Sequence, residues 1–457
     1  MAESIGGAAC ERRRDLWMVP AAGIIGGMAP KRPERPAPRR PFPRDSAAPP
    51  EPRLPYAPEV LRQRELCPQE EADIPDMEVR APTPHPFLFR RRLGQYPQHS
   101  RPGDVLRLTT STGQPIGYGL FNPRAEIAVR QLTNGLEMPG EAWWQRKLSN
   151  AVDLRRKLLK LDEVTNAYRV VHAEGDGLSG LVVDRFNDVL VVEAFALGMY
   201  QRAEAILDLL TPLCGTEHGV LRPGPATEEH EGFTADPVGS DNLPSRTTIQ
   251  EFGTRFRVDF TAGHKTGFYC DQRDNRRDFA KLVAGKSVLD LCCYTGGFAI
   301  QAKVLGKAAE VTAVDVDESA VQLAKDNANL NQVRINFAQS DAFAYLRDMQ
   351  RNGKQYDAIV LDPPKLIRSR EEEDEGKHKY FDLNRLAMTL VKPGGVLLTC
   401  SCSGMLDMAE FLRIVSTAPE YGRRATIFHR TAAAGDHPVS TNCPESDYLK
   451  TVWLRME

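Results

Sequence analysis

The residues Ser-Val-Leu-Asp-Leu-Cys-Cys-Tyr-Thr-Gly-Gly-Phe, from Ser287 to Phe298, decide the fold. An apolar, β-like run at Ser287–Leu291 leads through a glycine pair into a helical pattern at Phe298–Leu305. Gly296 and Gly297 would let the backbone approach a ligand, although tight strand-to-helix turns also need glycine for steric reasons alone. The stretch therefore predicts the first β-α unit of a parallel sheet.

The same alternation of strand-like and helical patterns continues toward the carboxyl terminus. The predicted pairs are Val311–Val314 with Ala320–Leu330, Ile335–Ala338 with Ala342–Arg351, Tyr356–Leu361 with Tyr380–Val391, and Val396–Cys400 with Met408–Val415. Two last strands, near Arg424–Phe428 and Tyr448–Leu454, are expected to close one edge like a hairpin. Repeated β-α units indicate a doubly wound sheet. The predicted fold class is α/β, with a Rossmann-like, seven-stranded domain over residues 263–457.

An acidic residue lies at or just after each of the first three strands: Asp290, Asp315 and Asp341. Ligands of such sheets bind at the carboxyl ends of the strands. A carboxylate at Asp315 can accept both hydroxyls of an adenosine ribose, and one at Asp341 can accept an adenine amine. Each acid alone is equally well explained as a loop or helix-cap residue, but the set of three is more specific. NAD is disfavoured because the GxGxxG spacing is absent.

The fourth and fifth strands end in motifs that carry chemistry. Asp362-Pro-Pro-Lys365 follows the fourth strand, and its prolines stiffen the loop that projects Asp362 into the crevice. The fifth strand ends in Thr-Cys-Ser-Cys-Ser-Gly, residues 399–404, where Cys402 lies among hydroxyls and is a candidate nucleophile. Cys400 lies inside the apolar strand, where a buried and inert thiol is expected.

The first eighty residues differ from the rest of the chain. They contain 14 of the 33 prolines and equal numbers of acidic and basic residues, so we predict a disordered Pro/Arg-rich extension over residues 1–76. Arg12–Arg14, before the weakly apolar Leu16–Met28, resembles a signal peptide, but the short apolar run disfavours export. A further hypothesis is that translation starts at Met77, directly before the first structured segment.

Three ordered parts follow. Short β-like runs predict a small β-barrel over residues 77–140. Residues 81–150 contain nine Lys/Arg against four Asp/Glu, a surplus suited to phosphate contacts. Residues 141–164 predict a basic, solvated, amphipathic connecting helix, and residues 165–262 a small mixed α/β domain. The predicted elements of that domain are strands at Ala167–His172, Gly180–Asp184, Val189–Ala194 and Phe252–Phe260, a helix at Tyr200–Leu213 and a loop from Gly215 to Pro244.

The composition of the 457 residues, with 41% hydrophobic and 26% charged residues, excludes wholesale disorder and membrane spanning. The net charge of −2 argues at first against a nucleic-acid partner, but this sum hides the basic barrel. Nine cysteines, an odd number without a CxxC pair, indicate neither a disulfide framework nor structural zinc. No metal site is predicted.

Taken together, the motifs resemble the class I S-adenosylmethionine-dependent methyltransferases, in particular the ribosomal RNA large subunit methyltransferase I group. The resemblance covers nearly all of residues 78–457. It rests on His-Lys-Thr-Gly-Phe-Tyr-Cys-Asp-Gln-Arg-Asp-Asn-Arg at 264–276, Asp290 with Tyr-Thr-Gly-Gly-Phe at 294–298, Asp-Pro-Pro-Lys at 362–365, Ser-Cys-Ser-Gly at 401–404 and Asp-His-Pro at 436–438. It implies a PUA RNA-binding barrel, a mixed α/β middle domain and a methyltransferase that acts on C5 of a cytosine in 23S ribosomal RNA.

The resemblance also implies roles for individual residues. Cys402 would add to C6 of the cytosine, which makes C5 enamine-like and able to take the methyl group, and Asp362 would hydrogen-bond the N3/N4 edge of the base. Water or Asp362 would then remove H5. The residues implied in binding S-adenosylmethionine are Asp290, Tyr294, Thr295, Gly296, Gly297, Asp315, Asp341, Asp362, Lys265 and Tyr269. Those implied in binding RNA are Arg90, Arg91, Arg92, Arg273 and Lys365.

The expected partner is 23S ribosomal RNA, in the cytoplasm and without a membrane; a homodimer is one option for the assembly. The sequence departs from the family pattern at Cys292, Cys293 and Tyr294, which replace the usual first glycine of the cofactor loop. The middle domain is divergent over residues 215–245, which leaves its RNA contacts open. The front extension has no counterpart.

Three alternatives stay open. Enzymes that methylate uracil C5 are expected to show Ser-Cys-Asn-Pro and iron–sulfur cysteines, and this sequence has neither. Methylation of an exocyclic amine would favour Asn-Pro-Pro-Tyr or Asn-Pro-Pro-Phe where Asp-Pro-Pro-Lys stands. The last alternative is an RNA-binding assembly factor without turnover, which the intact acids and Cys402 disfavour.

Overall fold

The computed structural model describes residues 54–66, 70–260 and 267–457. Its first domain is a five-stranded sheet of β1 (Asp76–Glu78), β2 (Phe87–Phe89), β3 (Val105–Thr109), β4 (Pro115–Phe121) and β5 (Ile127–Asn134), in the order β1-β3-β4-β5-β2. Backbone hydrogen bonds from Arg80 N to Arg92 O and from Gly94 N to Glu78 O, both 2.8 Å long, join the two edges of this sheet. The sheet therefore closes into a small barrel.

A helix with one buried face leads from the barrel to the second domain. α1 (Glu141–Asp153) continues into a π-helical turn at Leu154–Leu158. Trp143, Trp144 and Leu148 of this helix are buried in a core to which both the barrel and the second domain contribute. The helix is therefore packed between domains on its apolar face, and only its other face is solvated.

The second domain combines a five-stranded sheet, three short helices and a hairpin. Its elements are β6 (Ala167–His172), β7 (Leu181–Phe186), β8 (Val189–Ala194), α2 (Leu197–Tyr200), α3 (Ala203–Cys214), β9 (His218–Pro223), α4 (Thr227–Glu231), β10 (Val238–Gly239), β11 (Arg246–Glu251) and β12 (Thr254–Asp259). The sheet order is β10-β9-β8-β7-β6, and β11 pairs with β12. The prediction of a loop from Gly215 to Pro244 is wrong, because this interval contains β9, α4 and β10. Only Val220 and Leu221 are buried in β9, so its apolar pattern is too short to recognise.

The third domain is a doubly wound sheet with helices on both faces. Its elements are α5 (Arg273–Ala280), β13 (Ser287–Leu291), α6 (Gly297–Val304), β14 (Glu310–Asp315), α7 (Glu318–Leu330), β15 (Asn336–Gln339), α8 (Ala342–Arg351), β16 (Tyr356–Leu361), α9 (Glu373–Leu390), β17 (Val391–Ser401), α10 (Met408–Thr417), β18 (Ala425–Thr431) and β19 (Lys450–Met456). The strand order is β15-β14-β13-β16-β17-β19-β18, and β19 runs antiparallel to both of its neighbours. The predicted seven-stranded, Rossmann-like fold is confirmed.

The order of the strands fixes where a ligand can bind. The chain proceeds from β13 outward through β14 and β15, and then returns to the other side of β13 with β16 and β17. At such a reversal the loops after neighbouring strands diverge and leave a crevice at the carboxyl ends. In the described ranges, no helix combines the length and the apolar character needed to cross a membrane.

Arg155, in the π-helical turn after α1, connects the second and third domains. Its side chain is fully buried, and it donates two hydrogen bonds to Asp176, of 2.6 and 2.9 Å. It also donates to the carbonyl oxygens of Arg169, at 2.8 Å, and of Asp436, at 2.6 Å. Because a buried guanidinium must have its donors satisfied, this residue holds two domains in one arrangement.

The prediction of a disordered extension over residues 1–76 is wrong for the part that the structure describes. Tyr56 donates its hydroxyl to Asn122 at 2.9 Å, and Arg64 forms an ion pair with Asp104 at 2.8 Å. Leu66 is buried in the core shared with α1. The composition of this segment predicts disorder, but these few residues order it by binding to surfaces of the barrel and the second domain. Residues 1–53 and the hypothesis of a signal peptide lie outside the described residues.

Candidate active site

The structure brings five predicted side chains to one edge of the third domain. Asp290 lies in β13, and Asp315 ends β14. Asp341, Asp362 and Cys402 follow β15, β16 and β17 by one or two residues. These five strands are parallel neighbours, so their carboxyl ends meet along one crevice, as the sequence predicts.

The loop between β13 and α6 has an unusual backbone. Cys292 and Tyr294 have φ angles of 60° and 48°, and Gly296 has 84°. Residues other than glycine rarely adopt this left-handed region, and the segment Cys292–Tyr294 replaces the usual first glycine of the family's cofactor loop. The loop is held in this form by hydrogen bonds from Cys293 N to Val314 O, at 3.0 Å, and from Tyr294 N to Asp315 Oδ2, at 2.8 Å.

Gly297, which opens α6, meets a second constraint. A Cβ atom at this position would lie 3.0 Å from Cδ of Arg276, which is itself buried. The guanidinium of Arg276 forms a two-pronged ion pair with Glu251, with hydrogen bonds of 2.8 and 2.7 Å. The loop therefore packs closely over α5, and glycine is needed here for packing as well as for approach to a ligand.

Asp290 is a buried acid beneath this loop, with 1% of its surface exposed. Its Oδ2 accepts a hydrogen bond from Ala299 N at 2.9 Å, whereas its Oδ1 has no partner among the described residues. Burial raises the pKa of Asp290 to about 8, since the charged form loses its hydration. The carboxyl is therefore largely protonated at neutral pH and has one oxygen available to a ligand.

Asp315 and Asp341 both organise backbone at the crevice. Asp315 accepts from Tyr294 N and, at 3.0 Å, from Asp317 N. Asp341 is exposed and caps α8 by accepting from Ala344 N at 3.0 Å. The helix-cap alternative thus applies to Asp341. A carboxylate has about four lone-pair positions, so each of these acids can still accept from a ligand.

Asp362 is held by a residue to which the sequence reasoning gave no role. Gln272 donates its amide to Asp362 Oδ2 at 3.1 Å and to Cys400 Sγ at 3.4 Å. Asn275 in turn donates to Gln272 Oε1 at 2.7 Å. Burial raises the pKa of Asp362 to about 7, and the negative charge of the nearby Asp271 adds to this shift. The place of Gln272 in the 264–276 motif was a sign that it has a role. Its contact with Asp362 could not be predicted, because the two residues are 90 positions apart in the sequence.

Cys400 in β17 and Cys402 directly after this strand differ in exposure, as the sequence predicts. Cys400 is fully buried, and Cys402 is partly exposed. Burial raises the pKa of both thiols, that of Cys402 to about 12, with Asp362 and Asp271 adding to the shift. Cys402 is accessible, but its thiolate needs a compensating positive charge or a reacting partner.

Tyr269 and the predicted RNA-binding residues differ in how they are placed. Tyr269 is partly exposed, and its ring lies edge-on to Tyr294, 5.1 Å between centroids. Arg91 and Lys365 are exposed, as a phosphate contact requires. Arg90 and Arg92 instead donate to the backbone carbonyls of Ala125 and Ala81, which leaves them partly engaged. Lys265 lies outside the described residues.

The predicted role of Arg273 in RNA binding needs correction. Arg273 is 1% exposed, and its guanidinium donates to both oxygens of Asp436 at 3.0 Å. A phosphate cannot reach a guanidinium that is buried and already paired in this way. Arg273 instead holds the Asp436-His-Pro loop against α5, so the motif before β13 contacts the motif between β18 and β19.

His85, Cys443 and Glu445 form a polar contact between the barrel and the third domain. Their ligand-type atoms lie within 4.8 Å of one another. His85 Nδ1 accepts from Phe87 N at 3.0 Å, which places the proton of the neutral ring on Nε2. Nε2 then donates to Glu445 Oε2 at 3.3 Å. We interpret this cluster as a hydrogen bond between domains.

Two family models match the chain at the places that the fold suggests. Residues 236–428 match the S-adenosylmethionine-dependent methyltransferase family, and residues 78–134 match the PUA-like domain. Together with the strand order and the acids at the crevice, these matches place the chain in the class of S-adenosylmethionine-dependent methyltransferases.

The relatives define the family within that class. The chain is 34% identical over 374 residues to ribosomal RNA large subunit methyltransferase I of Vibrio parahaemolyticus, which covers 80% of this chain and 94% of the relative. It is 37% identical over 388 residues to the enzyme of that name from Shewanella frigidimarina, which covers 81% and 95%. The chain belongs to the ribosomal RNA large subunit methyltransferase I family.

Solved structures agree on the fold. A methyltransferase structure complexed with SAH matches with a TM-score of 0.71 and 19% identity, over 84% of this chain and 100% of the other. A structure assigned as an S-adenosylmethionine-dependent methyltransferase from Streptococcus mutans gives 0.70 and 19%, with the same coverage. At this identity, the likeness concerns the fold alone.

The donor set of the crevice fits S-adenosylmethionine. Asp315 can accept the ribose hydroxyls, as acids do in related nucleotide sites, and the half-buried Gly297, in the Gly296–Gly297 turn, opens α6 beside it. The unpartnered Oδ1 of Asp290 offers a buried polar contact beside that turn. These are the features that a cofactor with adenosine and amino-acid ends needs.

Proposed function

We propose that this protein methylates C5 of a cytosine in 23S ribosomal RNA and that Cys402 is its nucleophile. One observation carries the proposal: a partly exposed cysteine follows β17 and faces the crevice next to Asp362, whereas Cys400, two residues earlier, is buried. Methylation of a base amine needs no thiol at this place. C5 of cytosine does, because it is too weak a nucleophile without prior addition at C6.

Cys402 acts by a covalent step. Its thiolate forms a bond from Sγ to C6 of the cytosine, and the electron pair of the C5–C6 double bond makes C5 nucleophilic. When bound, S-adenosylmethionine supplies the electrophilic methyl group that C5 takes. A base, water or Asp362, then removes H5, and the electrons of that bond restore the double bond as the Sγ–C6 bond breaks.

Asp362 recognises the base and helps the addition. Its pKa, raised to about 7, keeps a large fraction protonated at neutral pH, so the carboxyl can donate to N3 of cytosine and accept from N4. A proton shared with N3 offsets the negative charge that develops in the ring when the thiolate adds. Gln272 donates to one oxygen of Asp362, and the Cys400 thiol is a further hydrogen-bond partner of this carboxyl.

The cofactor is held by residues on the other side of β13. We assign the ribose to Asp315, the adenine to Asp341 and the methionine end to the turn at Tyr294–Gly297, with Asp290 beneath it. Tyr269, whose ring contacts Tyr294, belongs to this side of the crevice. Lys265 is assigned to the cofactor on the family resemblance alone. The other roles rest on the position of each residue along the sheet edge and on the family resemblance.

The RNA partner is supported by the family and by the barrel. The relatives are named for ribosomal RNA of the large subunit, and the barrel matches a PUA-like domain. Arg91 and Lys365 are exposed cations suited to phosphates, and Arg90 and Arg92 flank Arg91. We infer that the protein works in the cytoplasm, where ribosomal RNA is made, and a homodimer stays an option for its assembly.

Trapping with 5-fluorocytidine in ribosomal RNA tests the nucleophile. A base cannot remove fluorine from C5 as it removes H5. Elimination therefore stops, and the enzyme stays bound to C6 through Sγ of Cys402. We expect a covalent complex for the wild type in the presence of S-adenosylmethionine, and none for Cys402→Ala.

Cys400→Ala is the matched control, since it removes a thiol from the same strand, two residues away. It should still form the complex. If Cys402→Ala methylates C5 at the wild-type rate, the covalent mechanism is wrong.

A further inference from the structure

Lys450 is a buried lysine whose ammonium contacts the backbone next to Cys402. It begins β19 and lies opposite Ser401 in the antiparallel pairing of β17 with β19. Its Nζ donates hydrogen bonds to the carbonyl oxygens of Ser403, at 2.6 Å, and of Tyr448, at 2.7 Å. Ser403 directly follows Cys402, so the ammonium is fixed to the backbone one residue after the thiol, and the backbone of Lys450 pairs with Ser401, one residue before it.

The charge of Lys450 is not compensated by an ion pair. The residue is 3% exposed, and in the part of the chain that the structure describes no carboxylate lies within the 4.0 Å of an ion pair with it. Asp447 and Asp407 act on it from a longer range, and Lys365 opposes them. A buried cation that has only carbonyl partners is costly. Lysines of this kind are candidates for a functional role.

The surroundings of Cys402 show what the charge is suited to do. Burial, Asp362 and Asp271 all disfavour the thiolate, and Lys450 is the charged group that favours it. The effect is mutual, since the thiolate favours the ammonium form of Lys450. In a site with several acids, the nucleophile therefore has a cation of its own.

We propose that Lys450 activates Cys402: its ammonium, anchored to the Ser403 and Tyr448 carbonyls, stabilises the thiolate that attacks the base. Lys450 is a positioning residue that acts through Cys402 and does not touch substrate. In the step that it promotes, the Sγ–H bond breaks, the proton goes to solvent and the electron pair stays on sulfur. The attack of this thiolate on cytosine rests on the proposed function, whereas the formation of the thiolate does not.

Alkylation of Cys402 by iodoacetamide tests the inference without RNA or cofactor. The rate is followed peptide by peptide with mass spectrometry, from pH 6 to about pH 10, in the full chain. Lys450→Gln keeps N–H donors for the two carbonyls and removes the charge. We expect its Cys402 to react about tenfold more slowly than the wild type at pH 7, equivalent to about one unit of thiol pKa.

The pH dependence separates a charge effect from a structural one. The pKa of Lys450 is lowered to about 8, chiefly by burial, so its charge is lost as the pH rises through that value. The wild-type advantage over Lys450→Gln should therefore be largest below pH 8 and shrink above it. Asp362 and Asp271 are present in both proteins, so their charges act on Cys402 in both of the rates that are compared.

Three further variants serve as controls. Lys450→Arg retains the cation and should react within about threefold of the wild type. Lys303→Met removes a lysine that also donates to two carbonyls, those of Ala308 and Ala309, but far along the sequence from the thiol; it should leave the Cys402 rate unchanged. If Lys450→Gln fails to fold, Lys450→Met takes its place in the alkylation measurement.

Two results would overturn the inference: an unchanged alkylation rate in folded Lys450→Gln, or an effect that is the same at pH 6 and pH 10. Failure of the proposed function looks different. If Cys402→Ala still methylates RNA, the nucleophile is wrong, but the alkylation result for Lys450 stands.

Discussion

At the scale of single residues, Asp290 links the cofactor loop to the pH dependence of stability. The carboxyl is buried, accepts one backbone hydrogen bond and has a pKa raised from its ordinary value near 3.8 to about 8. The folded state therefore holds a proton that the unfolded chain releases above about pH 4. Because the unfolded state binds fewer protons over this range, stability falls as the pH rises from about 4 to about 8.

Asp290→Asn should remove this dependence. We expect the free energy of unfolding of the wild type, relative to this variant, to fall by up to about 1.4 kcal/mol for each pH unit between roughly pH 4 and pH 8, and then to level off. Urea unfolding at a series of pH values measures it. Parallel curves for the two proteins would show that Asp290 has an ordinary pKa.

At the scale of elements, the segment from Cys270 through α5 has two functional sides. Toward the crevice, Gln272 holds Asp362. Away from it, Arg273 pairs with Asp436 and Arg276 with Glu251, and all four residues are buried. The segment therefore positions the site and also ties it to the second domain and to the loop before β19.

Breaking one of these pairs should affect stability and not RNA contacts. Arg273→Met removes the guanidinium partner of the buried Asp436 and leaves it the backbone N–H of Arg169 and the His437 ring, and we expect a loss of about 3 kcal/mol, measured by urea unfolding. Under conditions where the variant is folded, the salt dependence of its binding to a ribosomal RNA fragment should equal that of the wild type.

Arg91→Ala is the matched comparison and should weaken RNA contacts without a large change in stability. Stability should change by less than about 0.5 kcal/mol, because the side chain is exposed. The slope of log RNA affinity against log salt concentration should decrease in magnitude by about 1, because one phosphate contact is lost. A reduced salt slope in Arg273→Met would restore the RNA-binding role that its burial argues against.

The sequence predicts elements and site residues where local patterns determine them. The five parallel strands from β13 to β17 read as short apolar runs between helical patterns, and the acids at their ends follow from that assignment. Gln272 and Lys450 could not be found in this way. Their roles depend on contacts with Asp362 and with the Cys402 loop that appear only when α5 and β19 pack against β16 and β17.

β9 and the left-handed loop show two other limits. β9 has two buried residues between Gly219 and Pro223, so it lacks the longer apolar pattern that marks a strand. At Cys292 and Tyr294, the sequence offers residues that disfavour positive φ, and the structure adopts it nevertheless. Hydrogen bonds to Val314 and Asp315 hold that conformation, and no local propensity predicts them.

At the scale of the whole molecule, residues 54–66 and 70–76 act as a strap across the barrel and the second domain. Tyr56 N donates to Gly232 O at 2.7 Å, and its ring lies 3.9 Å from the guanidinium of Arg124. The carbonyl of Leu66 accepts from Arg202 at 3.0 Å, and Arg202 is buried. The strap therefore satisfies polar groups that belong to other parts of the fold.

Removing the strap should destabilise the rest of the chain. A protein that begins at Met77 loses these hydrogen bonds, the Arg64–Asp104 ion pair and the burial of Leu66, and we expect it to unfold about 3 kcal/mol more easily. A protein that begins at Leu54 is the control and should match the full chain in urea unfolding. Equal stability for all three would show that the strap contacts contribute nothing.

The charge of the whole molecule is consistent with several electrostatic roles. The near-neutral sum combines a barrel region with a surplus of basic residues and a crevice that carries the acids Asp315, Asp341 and Asp362. The buried cations Arg155, Arg273 and Arg276 add to the total but are used to join elements. Net charge alone therefore says little about the partner of this protein.

Bisulfite sequencing of 23S ribosomal RNA tests whether Cys402 is required to methylate a cytosine at C5. The RNA is taken from a strain without the gene and from the same strain supplied with the wild type, with Cys402→Ala or with Cys400→Ala. We predict one cytosine that resists conversion with the wild type and with Cys400→Ala, and that is converted in the deletion strain and with Cys402→Ala. The account is contradicted if no cytosine changes between these strains, or if Cys402→Ala protects that cytosine as fully as the wild type does.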